Sequence, residues 1–282
     1  MKELLEIAFP GKFEVSRVHG GDINESFLIK HRGKEFFIKY NGAPTASEMF
    51  STETKGLLAL SKVVPGITPK VINQIDGNTG SLLILEYLSP GSSRQVSQIS
   101  LGRSLASIHS SQSKSFGLGY TNYIGSLKQE NGWFDNFSSF YISARLEPQL
   151  CLAYDNGLIG SQYLSYFDNL GTIINDEVPP EPACLIHGDL WGGNHLLSTD
   201  GKYYLIDPSI SYAHREIDLA MTRLFGGYNE DFYKGYQEAY PLEKGWASRI
   251  SLFQLYYLLV HLNLFGIAYR SSVTQILEKW LK

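Results

Sequence analysis

The sequence has few cysteines and little net charge, and both shortages exclude classes of protein. Its 282 residues contain only two cysteines, Cys151 and Cys184, too few for a disulfide framework or a zinc knuckle. We predict that both are buried, reduced thiols of a cytoplasmic protein. The formal net charge is −4, so the chain offers no basic surface of the kind that binds nucleic acid or an anionic membrane.

A long, uninterrupted apolar run is also missing. Residues 250–269 are the most apolar stretch, but Gln254, His261 and Asn263 interrupt it, which favours a buried helix over a membrane span. The N-terminal segment MKELLEIAF carries acidic residues within its apolar run and lacks a small-residue cleavage site. It reads as the first helix and not as a signal peptide. Nothing in the sequence points to an obligate protein partner.

The sequence does have the composition of a globular protein, with 43% hydrophobic and 18% charged residues. Residues 13–40 alternate apolar and polar side chains around glycine-bearing turns, which predicts an antiparallel meander. A helix over about 47–60 and two further strands, PKVINQI and SLLILEY, complete a five-stranded lobe that we place at 1–88. Residues 89–93 are then predicted to form a short hinge or linker.

The remainder of the chain, 89–282, changes to a helical period. Helices are predicted near 99–109, 132–153, 158–175, 215–225, 229–240 and 244–269, with a short one at the end. Three short buried strands, at 185–186, 196–197 and 204–206, interrupt this series. Strands first and helices later indicate an α+β chain of two lobes, a small antiparallel N-lobe and a larger, mainly helical C-lobe.

Polar residues stand at the ends of these three strands, in the segment LIHGDLWGGNHLLSTDGKYYLIDPS. His187, Asp189 and Asn194 follow the form H-x-D-x-x-x-x-N, and Asp207 ends the last strand. Packing does not account for polar side chains at such positions. The spacing resembles the catalytic loop and metal-binding acid of the bilobal protein-kinase-like fold. It implies that Asp189 accepts or orients the acceptor hydroxyl and that Asn194 and Asp207 hold Mg²⁺, while His187 is structural.

The kinase-like fold implies an ion pair in the first lobe. Lys39 ends an apolar strand and would reach the α- and β-phosphates of ATP. Glu53, on the following helix, is the acid expected to pair with it, and Glu48 is the competing choice. Without the motif formed by Asp189, Asn194 and Asp207, we would predict that Lys39 is a solvated residue at the end of a strand.

Two further segments would contact ATP. Gly20 and Gly21 lie in the first hairpin, where kinases cover the phosphates, although the segment lacks G-x-G-x-x-G and a plain turn is the alternative. Glu86, Tyr87 and Leu88 end the last strand of the lobe. The backbone there should meet the adenine edge, while the side chains pack.

Longer motifs narrow the resemblance to one family. They are HGDLWGGN, IDPSISYAHREIDLAMTRLFGG, FYKGYQEAYPLEKGW, LFQLYYLLVHLNLFG and NYIGSLKQENGWFDNFSSFYISARLEPQL. Over almost the whole chain, they are similar to the fructosamine kinase (ketosamine-3-kinase) family, in the aminoglycoside-phosphotransferase-like branch of the kinase fold. The resemblance implies ATP-dependent phosphorylation of the 3-hydroxyl of a ketosamine. It also implies a role in deglycation, because such a phosphate makes the sugar–amine adduct unstable.

The resemblance implies further residues on the acceptor side. Trp191 would stack on the sugar or on its amine-bearing carbon, or else wedge the catalytic loop in place. His214 and Glu216 would line the acceptor pocket, and Asp218 would brace the catalytic loop. His195 departs from the family pattern by standing where a β-branched apolar residue is expected.

A second departure is Asp22, which stands where small or thiol residues are common. Other functions also stay open at this point. One is a phosphotransferase for another small hydroxyl compound, such as an aminoglycoside, choline or a thiosugar. Another is a non-catalytic kinase-like binding module, although such modules usually lose at least one catalytic residue. The preferred ketosamine, the choice between free amine and protein-bound lysine, and the oligomeric state do not follow from the sequence.

Overall fold

Alternating side chains near the start of the chain form an antiparallel sheet. Its strands are β1 (Glu14–Val18), β2 (Glu25–His31), β3 (Lys34–Asn41), β4 (Val71–Gly77) and β5 (Gly80–Glu86). They lie in the order β1-β2-β3-β5-β4 in the computed structural model, which describes residues 1–18, 23–91 and 96–281. The five-stranded antiparallel N-lobe predicted from the sequence is confirmed.

Two helices, α1 (Lys2–Ala8) and α2 (Ala46–Val63), cover the two faces of this sheet. Successive residues of a strand point to opposite faces. Ile38 therefore packs in the cluster that contains the apolar residues of α1, whereas Leu83 packs with Phe50 of α2. The period-two pattern thus fixes α2, the helix that carries the predicted acid, against the sheet.

The rest of the chain contributes short strands and helices. The strands are β6 (Gln112–Ser113), β7 (Phe116–Leu118), β8 (Asn122–Ile124), β9 (Leu127–Gln129), β10 (Gly132–Phe134), β11 (Ala183–Ile186), β12 (His195–Leu197), β13 (Tyr203–Leu205) and β14 (Ser211–Ala213). The helices are α3 (Ile99–His109), α4 (Phe137–Tyr141), α5 (Glu147–Asp155), α6 (Phe167–Glu177), α7 (Glu216–Thr222), α8 (Glu230–Ala239), α9 (Trp246–Phe265) and α10 (Arg270–Leu281). Strands β10, β7, β14, β11 and β6 form a second sheet in that order, while β8 with β9 and β12 with β13 form hairpins.

The chain packs as two units that do not follow chain order. The first unit comprises 1–96 and 194–208, and the second comprises 97–193 and 209–282. The hairpin β12–β13 joins the first unit through backbone hydrogen bonds. For example, the N–H of Leu205 donates to the carbonyl of Ile67 at 2.7 Å. The limits 1–88 and 89–282 stay a prediction about folding domains.

Two predicted helices begin later than the sequence indicates. The first residues of the helix predicted at 132–153 form β10, which pairs with β7. Helix α4 starts only after Asn136, whose side-chain oxygen accepts from the N–H of Ser139 at 2.9 Å. Asparagine is a strong N-cap, so the start is set by this cap. The helix predicted at 158–175 corresponds to α6, which begins at Phe167.

Helices α3 and α8 approach each other through glycines. An ideal Cβ on Gly102 would lie 2.0 Å from the carbonyl oxygen of Phe232, and one on Gly235 would lie 2.2 Å from that of Ile99. Both distances are far below van der Waals contact, so the two backbones touch and leave no room for a side chain.

We expect Gly102→Ala to lower the free energy of unfolding by about 2–3 kcal/mol, because the helices must separate to admit the methyl group. Gly171→Ala in α6 is the matched control, since the nearest atom to its Cβ is Ile142 Cδ1 at 3.4 Å. Alanine's helix propensity should leave that variant as stable as the parent or up to about 1 kcal/mol more stable. Urea unfolding measures both, and equal stabilities would contradict the close packing of α3 on α8.

The structure bears on two further predictions, the absence of a membrane span and the burial of both cysteines. Within the described ranges, no helix is both long enough and apolar enough to cross a membrane. The apolar stretch at 250–269 forms most of α9, which is largely buried. Cys184 is buried as predicted, but Cys151 is exposed. The prediction is wrong for Cys151 because the neighbouring Leu150 and Ala153 take the core-facing positions of α5.

Candidate active site

The catalytic loop of the second unit, residues 187–193, is held by its backbone. The N–H groups of its first two residues donate to the two carboxylate oxygens of Asp218, at 2.7 and 2.9 Å. His109 Nε2 lies 3.2 Å from the same carboxylate, and the Tyr236 hydroxyl lies 2.8 Å from His109 Nδ1. Asp218, His109 and Tyr236 are buried. These contacts give Asp218 the bracing role that the sequence implies.

Asp218 is charged although it is fully buried. Burial by itself would raise the pKa of Asp218, but the hydrogen bond from His109 and the nearby loop groups outweigh it, and the pKa lies below its ordinary value. A carboxylate that binds several donors in the interior is costly to disturb. The backbone course of the catalytic loop is therefore fixed from beneath.

The position of Asp189 depends on the glycine before it. Gly188 has φ +84°, and an ideal Cβ there would lie 1.9 Å from the carbonyl oxygen of Ser209, so only glycine fits. The Tyr257 hydroxyl donates to the Gly188 carbonyl at 3.0 Å. The N–H of Asp189 faces His187 Nδ1 at 3.3 Å. Asp189 itself is half-buried, and the loop backbone on its N-terminal side is held by these contacts.

Lys39 is buried and forms an ion triad in the first unit. Its Nζ lies 2.6 Å from Glu53 Oε1 and 2.5 Å from Asp207 Oδ1. Burial by itself lowers the pKa of Lys39, but the two carboxylates outweigh it and raise the pKa, so the ammonium stays charged. Of the candidate acids Glu48 and Glu53 on α2, Glu53 is the one whose carboxylate is seen to reach Lys39.

The hairpin β12–β13 places Asn194 and Asp207 at the same end. Its strands pair antiparallel, and the N–H of Ile206 donates to the Asn194 carbonyl at 3.0 Å. Asp207 has φ 55°, a left-handed conformation that costs an L-residue roughly 1–2 kcal/mol. In this conformation the carboxylate contacts the ammonium of Lys39. Such strain at a polar residue is characteristic of functional sites.

The donors on this hairpin suit a magnesium ion that arrives with a nucleotide. Asn194 and Asp207 offer an amide oxygen and a carboxylate, which are hard ligands. Within the part of the chain that the structure describes, no cluster of three or more His, Cys, Asp or Glu could hold a metal alone. Mg²⁺ in phosphoryl-transfer sites uses one or two protein oxygens together with phosphate oxygens and water, so this donor set fits.

Trp191 keeps an accessible ring beside Asp189. Its side chain is 40% exposed. The ring also packs on the loop, because an ideal Cβ on Gly193 would lie 2.3 Å from it. Trp191 therefore has a packed edge and an open surface, and its contact with the acceptor stays a prediction.

His214 and Glu216 lie in the interior of the second unit. Glu216 accepts two hydrogen bonds from the guanidinium of Arg249, at 2.5 and 2.9 Å. His214 stacks on the ring of Phe253, and burial lowers the pKa of its imidazole. Both are almost fully buried, and these contacts support a structural role for them at the start of α7. Their place in the acceptor pocket stays a prediction, which acceptor kinetics can test.

We expect Glu216→Gln to lower the free energy of unfolding by about 2 kcal/mol, because Arg249 loses its buried charged partner. The acceptor KM should stay within about twofold of the parent. Thermal unfolding and initial-rate kinetics measure the two effects, with the exposed Glu243→Gln as control. A tenfold rise in acceptor KM with unchanged stability would return Glu216 to the acceptor pocket.

The roles of Gly20, Gly21 and Asp22 in the phosphate hairpin stay predictions, because these residues lie outside the described ranges.

His195 is half-buried on β12, where burial lowers its pKa to about 4 and its ring tilts against Tyr203. The imidazole is therefore neutral near pH 7, and an uncharged ring replaces the expected apolar residue.

The predicted adenine segment leaves the sheet at Glu86. The N–H of Glu86 donates to the Lys70 carbonyl, and its carboxylate accepts from the Lys70 N–H at 3.2 Å. Tyr87 and Leu88 follow, half-buried. Their contact with adenine stays a prediction.

A buried polar network beneath the catalytic loop was missed at the sequence level. Gln129 accepts from the Tyr256 hydroxyl and donates to Ser209 and to Asn122. Ser209 also donates its N–H to the carbonyl of His187 in the catalytic loop. The available signal was the concentration of amide side chains, Asn122, Gln129 and Asn131, in NYIGSLKQENGW.

The chain is similar to known proteins over nearly its whole length. The sequence profile described as fructosamine kinase matches residues 8–282. A protein of Enterococcus faecium named probable ketoamine kinase is 36% identical over 280 residues, 98% of each chain. A rice protein named protein-ribulosamine 3-kinase, chloroplastic, is 36% identical over 276 residues, 95% of this chain and 79% of that protein. A crystal structure described as a Thermobifida fusca fructosamine-3-kinase is 31% identical with a TM-score of 0.85, covering 95% of this chain and 93% of that one.

Proposed function

Because the chain belongs to the fructosamine kinase family and is an ATP-dependent kinase with a hydroxyl acceptor, we propose that its acceptor is a ketosamine. The transfer would place the γ-phosphoryl group of ATP on the 3-hydroxyl of the sugar. The observation that carries the kinase chemistry is the triad of Lys39, Glu53 and Asp207. It assembles a phosphate-binding cation and a metal-binding acid in one unit.

The proposed role of Asp189 is to orient the acceptor. Its half-buried carboxylate would accept a hydrogen bond from the 3-hydroxyl and take the proton as the oxygen–phosphorus bond forms. The loop can hold this geometry because Asp218 and Tyr257 fix the backbone on its N-terminal side. A positioned general base contributes roughly 10²–10⁴-fold to the rate.

The proposed role of Lys39 is to bind phosphate oxygens. The ammonium of Lys39 has three N–H donors, and two of them serve the carboxylates of Glu53 and Asp207. The third can donate to an oxygen of ATP. Asp207 and Asn194 would hold Mg²⁺, which when bound neutralises charge on the phosphates. Glu53 would keep Lys39 in place when the carboxylate of Asp207 binds the metal.

The choice of acceptor rests on the relatives. The Enterococcus faecium protein is named for ketoamines and the rice protein for protein-bound ribulosamine. Enolisation of a ketosamine 3-phosphate toward C1 gives a C1=C2 enaminol, which can expel the C3 phosphate as inorganic phosphate and become a C1=N imine. Water then hydrolyses the imine to a carbonyl at C1 and the free amine. Phosphorylation at this position would therefore remove sugar from amines, which is deglycation. A cytoplasmic location stays a prediction.

The deciding experiment is a coupled ADP-release assay at saturating ATP and Mg²⁺. The acceptors are fructosamine, ribulosamine, erythrulosamine, choline and kanamycin, with Asp207→Asn as the inactive control. We expect ADP release with the ketosamines alone and a C3 phosphate by NMR of the product. Turnover of only choline or kanamycin would refute the proposal and favour a phosphotransferase for another small hydroxyl compound.

A further inference from the structure

A row of aromatic side chains leads away from the catalytic loop along the second unit. It consists of Trp191, Phe225, His261, Phe265 and Tyr269, called the aromatic row below. Neighbouring ring centroids are 6.4 Å apart for the first pair and 4.6 Å for the second. The ring of His261 then lies 5.4 Å from Phe265 and 5.2 Å from Tyr269.

Close backbone contact fixes the start of the aromatic row. An ideal Cβ on Gly192 would lie 2.6 Å from the carbonyl oxygen of Gly226, and one on Gly227 would lie 2.5 Å from the Gly192 Cα. Residues 226–227 therefore rest directly on the catalytic loop. Because Phe225 precedes this contact, its ring is held edge-on to Trp191.

The aromatic row is exposed to an extent that packing does not explain. Trp191 and Phe225 are each 40% exposed and Phe265 is 46% exposed. Single exposed apolar residues are common, but consecutive exposed aromatic rings beside a catalytic residue indicate a binding surface. Aromatic faces attract both alkyl chains and cations.

His261 gives the row one polar atom. Its Nδ1 lies 2.8 Å from the Tyr257 carbonyl, which can only accept, so this nitrogen carries the proton. Burial lowers the pKa of His261, and the neutral ring then presents Nε2 as an acceptor. An N–H of a protonated amine is a donor that fits it.

We propose that the aromatic row binds the amine-bearing part of the acceptor, namely its protonated nitrogen and the alkyl chain attached to it, as in the side chain of lysine. The inference rests on the proposed function. In a ketosamine, only C1 and C2 separate the nitrogen from C3. A 3-hydroxyl held at Asp189 therefore brings the nitrogen close to Trp191, two residues away, and sends its chain along the row.

The test uses fructosamines made from methylamine, butylamine and Nα-acetyl-lysine. For the wild-type chain, kcat/KM should rise about tenfold from the methyl to the butyl adduct, as partial burial of the added methylenes predicts. Phe225→Ala and Phe265→Ala should each reduce this ratio to about twofold or less, because the chain loses its contact surface. Tyr154→Ala, which removes an exposed aromatic ring on α5, should keep the wild-type ratio.

The outcomes separate the inference from the proposed function. If no ketosamine is phosphorylated, the proposed function fails. If all adducts react with equal kcat/KM, or if both row variants keep the wild-type ratio, the inference fails and the proposed function stands. Phe225→Leu guards against misfolding, since it keeps an apolar side chain and should lie between wild type and alanine. Comparing the acetyl-lysine adduct with the same adduct in a peptide shows whether free or protein-bound lysine enters the row.

Discussion

Asp189→Asn should lower kcat for ketosamine phosphorylation by about 10²–10⁴-fold while Mg-ATP binds with an affinity within a few-fold of the parent. Asparagine keeps the size of the side chain, and the loop backbone is held by groups other than the Asp189 carboxylate. The loop should therefore survive. What is lost is the carboxylate that takes the proton of the acceptor.

Two measurements on the same preparation test this expectation. Calorimetry gives the affinity for ATP, and product mass gives sugar phosphorylation. Asp155→Asn, at an exposed position at the end of α5, is the matched control and should behave as the parent. Retained turnover would remove Asp189 from the catalytic role. Loss of ATP binding together with turnover would make it a structural or metal-binding residue.

Lys39→Met should lower kcat/KM for ATP by about 10²–10³-fold and also lower the free energy of unfolding by about 2–3 kcal/mol. The kinetic loss follows from removing the cation that meets the phosphates. The stability loss follows from leaving Glu53 in a site where its side chain is only 13% exposed. The more exposed Asp207 contributes less to this loss, because water screens its charge.

A double variant separates the two effects. Lys39→Met combined with Glu53→Leu removes the stranded carboxylate, so it should regain most of the stability and none of the activity. Lys62→Met, at an exposed position on the same helix as Glu53, is the control. Urea unfolding and ATP kinetics supply the data. Intact ATP kinetics in the unstable single variant would make Lys39 a structural residue.

Local patterns in the sequence were sufficient for much of the first unit. The alternation of apolar and polar residues predicted the strands of the first sheet because successive side chains of a strand point to opposite faces of the sheet. The same holds for the helix that carries Glu53. Strands such as β6 and β14 were missed because two or three residues cannot show a period. Their pairing is set by distant neighbours.

Part of the candidate site was also predictable from local spacing, and part was not. The spacing of Asp189, Asn194 and Asp207 indicated kinase chemistry, because one short strand–loop–strand segment carries all of them. The choice of Glu53 for Lys39 was predicted from its place on the helix, and the recorded ion pair agrees with it. The sequence treated Lys39 as a ligand for phosphate alone. Because Lys39 is buried between two carboxylates, it should also stabilise the fold, and the spacing of the motif does not show this.

The sequence by itself determined the kinase-like fold, the catalytic loop and the family, because periodicity and motif spacing are local properties of the chain. Only the tertiary structure decided which partners the buried charges meet. Glu216, for example, binds Arg249, which lies two helices later in the chain. The contact of His109 with Asp218 joins distant segments of the chain, and so does the aromatic row that begins at Trp191. Such contacts arise from the packing of whole helices, and residues far apart in sequence carry no local mark of the side chains they will meet.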